Sequence, residues 1–131
     1  MIGWQAALAV LAGGGIGSLI RYVVTFGVTQ RLGAGFPWST FIINLTGSFV
    51  IGVVAEITQT RAFAGGPLLR IFLMAGVLGG YTTFSTFTTE LVLLARDDHV
   101  QLAFLYGVVS LLAGVVAVLL GLMAAGWRHA P

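Results

Sequence analysis

Charge-free runs constrain this chain more than any other feature. Val100–Trp127 gives 28 residues without a charge, Leu32–Ala55 gives 24, Ile71–Thr89 gives 19, and Met1–Ile20 is also uncharged. A helix needs about 20 apolar residues to cross the hydrocarbon of a bilayer. Four spans therefore fit, at about 4–29, 37–59, 68–95 and 100–126. Only 8% of the 131 residues are charged, against about 25% in soluble domains. A surface covered by water cannot be built from this composition. The expected fold is all-α and integral to a membrane, with residues 1–131 forming a single four-helix transmembrane domain.

Turn signals agree with this division. Pro37 and Pro67 stand where the second and third spans begin, in keeping with proline in a first helical turn. Gly33-Ala34-Gly35, Gly65-Gly66 and Arg96-Asp97-Asp98 are the expected connections. Trp4, Trp38 and Trp127 fall near span ends, as in an interfacial aromatic belt. With no cysteine, the chain has no disulfide and no thiol chemistry. The first twenty residues lack Lys and Arg, so a cleaved signal with a basic start is not expected. A net charge of +2 without a basic run gives no footprint for nucleic acid. With four spans, Arg61, Arg70 and Arg128 lie on one side and Arg31 and Arg96 on the other. That near balance predicts insertion in both orientations under the positive-inside rule, the alternative being a topology fixed by other features.

Polar residues recur at helical spacing inside the apolar runs. The second span carries Thr40, Asn44, Ser48, Gly52 and Glu56, one every four residues, which favours a lined pathway over a single interhelical hydrogen bond. The first carries Gly13, Gly17 and Arg21 on one face. The glycine pair reads as a close helix contact. Arg21 reads equally as a snorkelling anchor and as part of an anion route. The fourth carries Tyr106, Ser110 and Gly114.

The third span is the anomaly. Gly79–Glu90 holds two glycines, six Ser and Thr hydroxyls and the pair Phe84 and Phe87. Irregular backbone at membrane depth is tolerated only against protein or a water-filled cavity. The glycines Gly76, Gly79 and Gly80 predict a break near Gly76–Thr83, exposing carbonyls able to hold a cation. Spacing alone favours core packing for Phe84 and Phe87, although their electropositive ring edges suit an anion. Thr83, Thr86 and Glu90 share a neighbouring face, with Glu90 expected near a water-accessible end. No arrangement of Ser, His and Asp, and no metal-ligand spacing, suggests an enzyme; His99 and His129 fall at a loop and a terminus.

Three motifs together resemble the bacterial fluoride channel family (Fluc, also called CrcB). They are Gly13-Gly14-xx-Gly17-xxx-Arg21-Tyr22, Thr40-xxx-Asn44-xx-Gly47-xxxx-Gly52, and Gly76-xx-Gly79-Gly80-x-Thr82-Thr83-Phe84-Ser85-Thr86-Phe87. The resemblance implies passive export of fluoride by an antiparallel, dual-topology homodimer with two pores in a bacterial inner membrane, in contact with membrane lipid. It implies a structural sodium ion at the dimer centre on the carbonyls of Gly79 and Thr82. Phe84 and Phe87 would touch the passing fluoride and Asn44 would donate to it. Tyr106 and Ser110 would form a polar track, and Arg21 an electropositive vestibule. Thr40, Thr83, Thr86 and Glu90 match further polar groups near the path. Gly114 departs from relatives that carry a second track serine, which shortens the track or leaves water to complete it. The competing reading is a small proton-coupled multidrug exporter, which needs a carboxylate in its cavity; the first span has none, and Glu56 and Glu90 are expected near helix ends.

Overall fold

In a computed structural model, residues 3–59 and 65–126 are described; the sequence expectations for Arg61, Trp127, Arg128 and His129 lie outside them. Among the described residues the chain is helical without strands. Helix α1 runs Trp4–Leu32 and α2 runs Trp38–Gln59. The third span is composite: α3 (Gly66–Ile71), a π-helix (Phe72–Leu78), the single turn α4 (Gly79–Tyr81), and α5 (Phe84–Arg96). Helix α6 (Val100–Ala124) closes the order. All four resulting spans are long and apolar enough to cross a bilayer.

Local chemistry sets the ends. Gly33, at φ 78°, stops α1 and donates its N–H to Thr29 O at 3.0 Å, so the helix continues past the expected end at 29. Pro37 precedes α2, and its carbonyl accepts from Phe41 N at 3.1 Å. Pro67 is the second residue of α3, where a missing N–H costs no helical bond. Asp98, at φ 62°, turns the chain between α5 and α6.

Two contacts organise the bundle. Helix α2 packs along α6, where Gly52 and Gly121 let backbone meet backbone. Gly52 thus belongs to a helix crossing rather than to a polar stripe. Helix α1 packs on the π-helix and α4. A Cβ on Gly13 would stand 2.6 Å from Phe72 O, and one on Gly17 would collide with Val77 O. The glycines of the first motif therefore serve close approach, as their spacing predicts. Most of the large side chains outside these contacts are exposed, including Leu11, Leu19, Phe104 and Leu111, as a lipid-facing surface requires.

Candidate functional site

The third span breaks at Thr82 and Thr83, both in extended conformation, with ψ of 159° and 119°. The expected region is right, but its glycines are not the cause. Gly76, Gly79 and Gly80 remain helical, and Gly76 and Gly80 press against the backbone of α1. The break is moulded by one turn of α2. Asn44 Oδ1 accepts from Thr83 N at 2.9 Å, and Asn44 Nδ2 donates to Thr83 O at 3.0 Å. Continuing the helix would send that N–H to Gly79 O, so the clamp leaves the Gly79 carbonyl without its helical donor. Gly47 clears room for the Thr82 methyl, and Thr46 Oγ1 meets Tyr81 Oη at 2.9 Å. Thr82 Oγ1 donates back to Leu78 O at 2.9 Å. Thr83 then caps α5, its Oγ1 accepting from Thr86 N at 3.2 Å and donating to Thr86 Oγ1 at 2.9 Å.

A cleft of about 410 Å³ opens beside this break. Asn44, Ser48, Thr82, Thr83, Phe84, Phe87 and Ser110 line it together with aliphatic side chains such as Ile51 and Val115. None of its lining residues is charged. Ser110 Oγ is buried and finds no hydrogen-bond partner among the described residues. Ser48 Oγ lies 3.6 Å from the point where a side chain on Gly114 would begin. A hydroxyl from α2 thus occupies the level at which α6 carries none. The Phe84 and Phe87 rings are 6.0 Å apart and tilted by 46°. Phe84 is 77% exposed, which overturns the core-packing expectation from spacing: as the first residue of a new helix, it projects from the bundle.

A second polar cluster adjoins the first through Phe87, whose ring meets Tyr106 edge-on at 5.1 Å. Tyr106 is buried and donates to Glu90 Oε2 at 2.9 Å, while Thr40 donates to Glu90 Oε1 at 2.7 Å. Both carboxylate oxygens are thereby satisfied by hydroxyls from α6 and α2. Glu90 lies in the last turns of the third span, which ends at Arg96, and lines a cleft of about 340 Å³ formed with the 33–37 loop and Asp97, in keeping with the expected position near an end. Neither Glu90 nor Glu56 lines the cleft at the break, where an exporter would need its carboxylate. Arg21 reaches that break from α1, its Nη1 donating to Thr82 O at 3.4 Å. Thus Asn44, Thr83, Phe84, Phe87 and Ser110 share one cleft, Thr40, Glu90 and Tyr106 form its neighbour, and Thr86 joins through the cap.

The comparison with known sequences decides the lineage. The profile of the CrcB-like protein, camphor resistance family, matches residues 8–122. The chain belongs to the CrcB-like family. It is 40% identical to a fluoride-specific ion channel FluC of Xanthomonas euvesicatoria pv. vesicatoria, over 95% of this chain and 92% of that one. It is 44% identical to that of Rhizobium meliloti (88% and 91%) and 42% identical to that of Thermus thermophilus (95% and 97%). Against this CrcB-like framework, sequence reasoning left out Thr46 and Tyr81, which shape the break together with Gly47, and gave Ser48 no role at the site. Ser48 was visible in the four-residue stripe and Gly47 in the second motif; Thr46 and Tyr81 act through a contact between helices that no spacing reveals.

Proposed function

We propose that this CrcB-like protein is a fluoride channel, passing the ion down its electrochemical gradient through the cleft at the third-span break. The carrying observation is the lining of that cleft: hydroxyls, an amide and two phenylalanine rings set among aliphatic side chains, without a fixed charge. Fluoride is small and holds its water tightly, so a pore must substitute several donors for that shell. It must also let go at each step, which a neutralising cation in the passage would oppose. The unpaired Ser110 hydroxyl and the second N–H of Asn44 are donors of this kind. Ring edges add weak positive potential, and α5 begins in the cleft with the positive end of its dipole. The FluC relatives, named as fluoride-specific, support the same reading. Fluoride that enters as the neutral acid from acidified surroundings dissociates inside, and a passive route then suffices for export from a bacterial cell across its inner membrane.

The working unit is a homodimer of antiparallel protomers with two pores. The near balance of arginines and the outward position of Phe84 support this reading. A sodium ion at the dimer centre fits the residues present. The Gly79 carbonyl has lost its helical donor, Thr82 is extended, and carbonyl oxygens are hard, neutral ligands suited to an alkali cation. Gly79 and Thr82 would hold the ion, which supplies positive charge binding the two breaks together.

The test is fluoride efflux from liposomes containing purified protein, followed with a selective electrode. Release well above that of empty liposomes, with chloride retained, is expected. Release no faster than from empty liposomes, or equal passage of chloride, overturns the proposal.

A further inference from the structure

Arg21 does something that neither a lipid anchor nor a vestibule charge explains. Its guanidinium donates to the carbonyl of Thr82, the residue at which the third span breaks. We infer that Arg21 is a positioning residue that acts as a resident cation on the break, competing with the sodium ion for Thr82 O. The inference rests on the sodium reading given above.

The geometry carries the argument in three steps. Helix α1 is held against α4 by glycines that permit no side chain, so the position of Arg21 relative to Thr82 is fixed by backbone packing. The break diverts the N–H groups of Thr83 and Thr86 to side chains, so the carbonyls of Gly79 and Thr82 lose their helical donors and are left as dipoles that a positive charge satisfies. At 3.4 Å the Arg21 contact is at the long end for an N–H donor, so it is weak enough to be displaced. A guanidinium and a sodium ion at one oxygen would place two positive charges within a few ångströms and repel. Arg21 therefore holds the break in the lone protomer and yields when the ion enters. A guanidinium carries five N–H donors, so Arg21 can change partners without losing its charge.

The consequence is a crossed signature. Without sodium, loss of Arg21 should weaken the protein; with sodium, the same loss should tighten ion binding. Purified protein is titrated with sodium chloride against N-methylglucamine chloride at constant ionic strength. Thermal unfolding and the fraction of dimer are read at each step. Arg21→Gln and Arg21→Met should unfold at a lower temperature than the unmodified protein at zero sodium. Both should reach half-maximal stabilisation at about threefold to tenfold less sodium, the size of one modest charge-assisted hydrogen bond. Arg21→Lys keeps the charge and should stay nearer the unmodified value, which also serves if the neutral variants fail to fold. Equal half-maximal sodium in all four proteins, with sodium stabilising each, overturns the competition while leaving the ion site intact. No effect of sodium on the unmodified protein overturns both readings.

Discussion

Phe84 and Phe87 are the same residue type on the same helix, yet their surroundings differ. Phe87 is half-buried and meets Tyr106 edge-on at 5.1 Å, and Tyr106 in turn meets Phe36 at 5.2 Å. An aromatic pair of this geometry adds about 0.5–1.5 kcal/mol beyond area burial. Phe84 touches Phe87 at 6.0 Å but is otherwise exposed on the protomer. Phe87→Ile should therefore lower the unfolding temperature of the protein and reduce fluoride flux. Phe84→Ile should reduce flux by at least as much while leaving protomer stability almost unchanged, because little of its ring is buried there. Liposome efflux and thermal unfolding of the two variants, measured side by side, check this. Unchanged flux in both would remove the rings from the conduction path.

Among the elements, the third span depends on α1 and α2 in different ways. Helix α1 supplies a surface without side chains: Gly13 and Gly17 lie against the π-helix backbone, and Gly17 has no room for a Cβ beside Val77 O. Gly15, two residues earlier, faces open space. Gly17→Leu should cost about 3 kcal/mol, the upper end for overpacking, because backbone cannot yield as a side chain can. Gly15→Leu should be neutral in the same thermal assay and in the yield of monodisperse protein. A neutral Gly17→Leu would mean that the span does not dock here. The two helices also differ in how far they could be read beforehand. The α1 contact was legible, because glycines four apart need no knowledge of the partner. The cause of the break was not. Three glycines drew attention to 76–80, whereas the backbone opens at Thr82 and Thr83 because Asn44 on α2 takes both backbone polar groups of Thr83. Sequence spacing shows that Asn44 is polar at mid-membrane; it carries no information about which backbone that amide will meet. The π-turn between Phe72 and Leu78 left no pattern at all, since it arises from fitting the span to α1.

For the molecule as a whole, orientation is the property that ties residues to assembly. The protomer leaves the Phe84 ring and the Gly79 backbone exposed, and an antiparallel partner is the proposed cover for both. Such a dimer needs the chain to insert both ways, and the arginines of the loops are close to balanced across the membrane. The absence of native cysteine makes this directly measurable. Ala34→Cys places a single thiol in the exposed loop between α1 and α2. An impermeant maleimide applied to intact cells should label about half of the chains if the two orientations are equally populated. Labelling of all or none overturns dual insertion. Biasing the charges then tests whether both orientations are required. Arg31→Gln with Arg96→Gln leaves the excess on the side of the second loop. Ala34→Lys and Gly35→Lys with Arg70→Gln moves it to the opposite side. Each biased chain alone should lose both dimer and fluoride efflux, and co-expression should restore both, because an antiparallel pair can form only when the two orientations meet. Full activity from either biased chain alone would instead favour a parallel assembly or a working protomer. In that case Phe84 would face lipid rather than a partner, and the flux lost in Phe84→Ile would have to arise within a single chain.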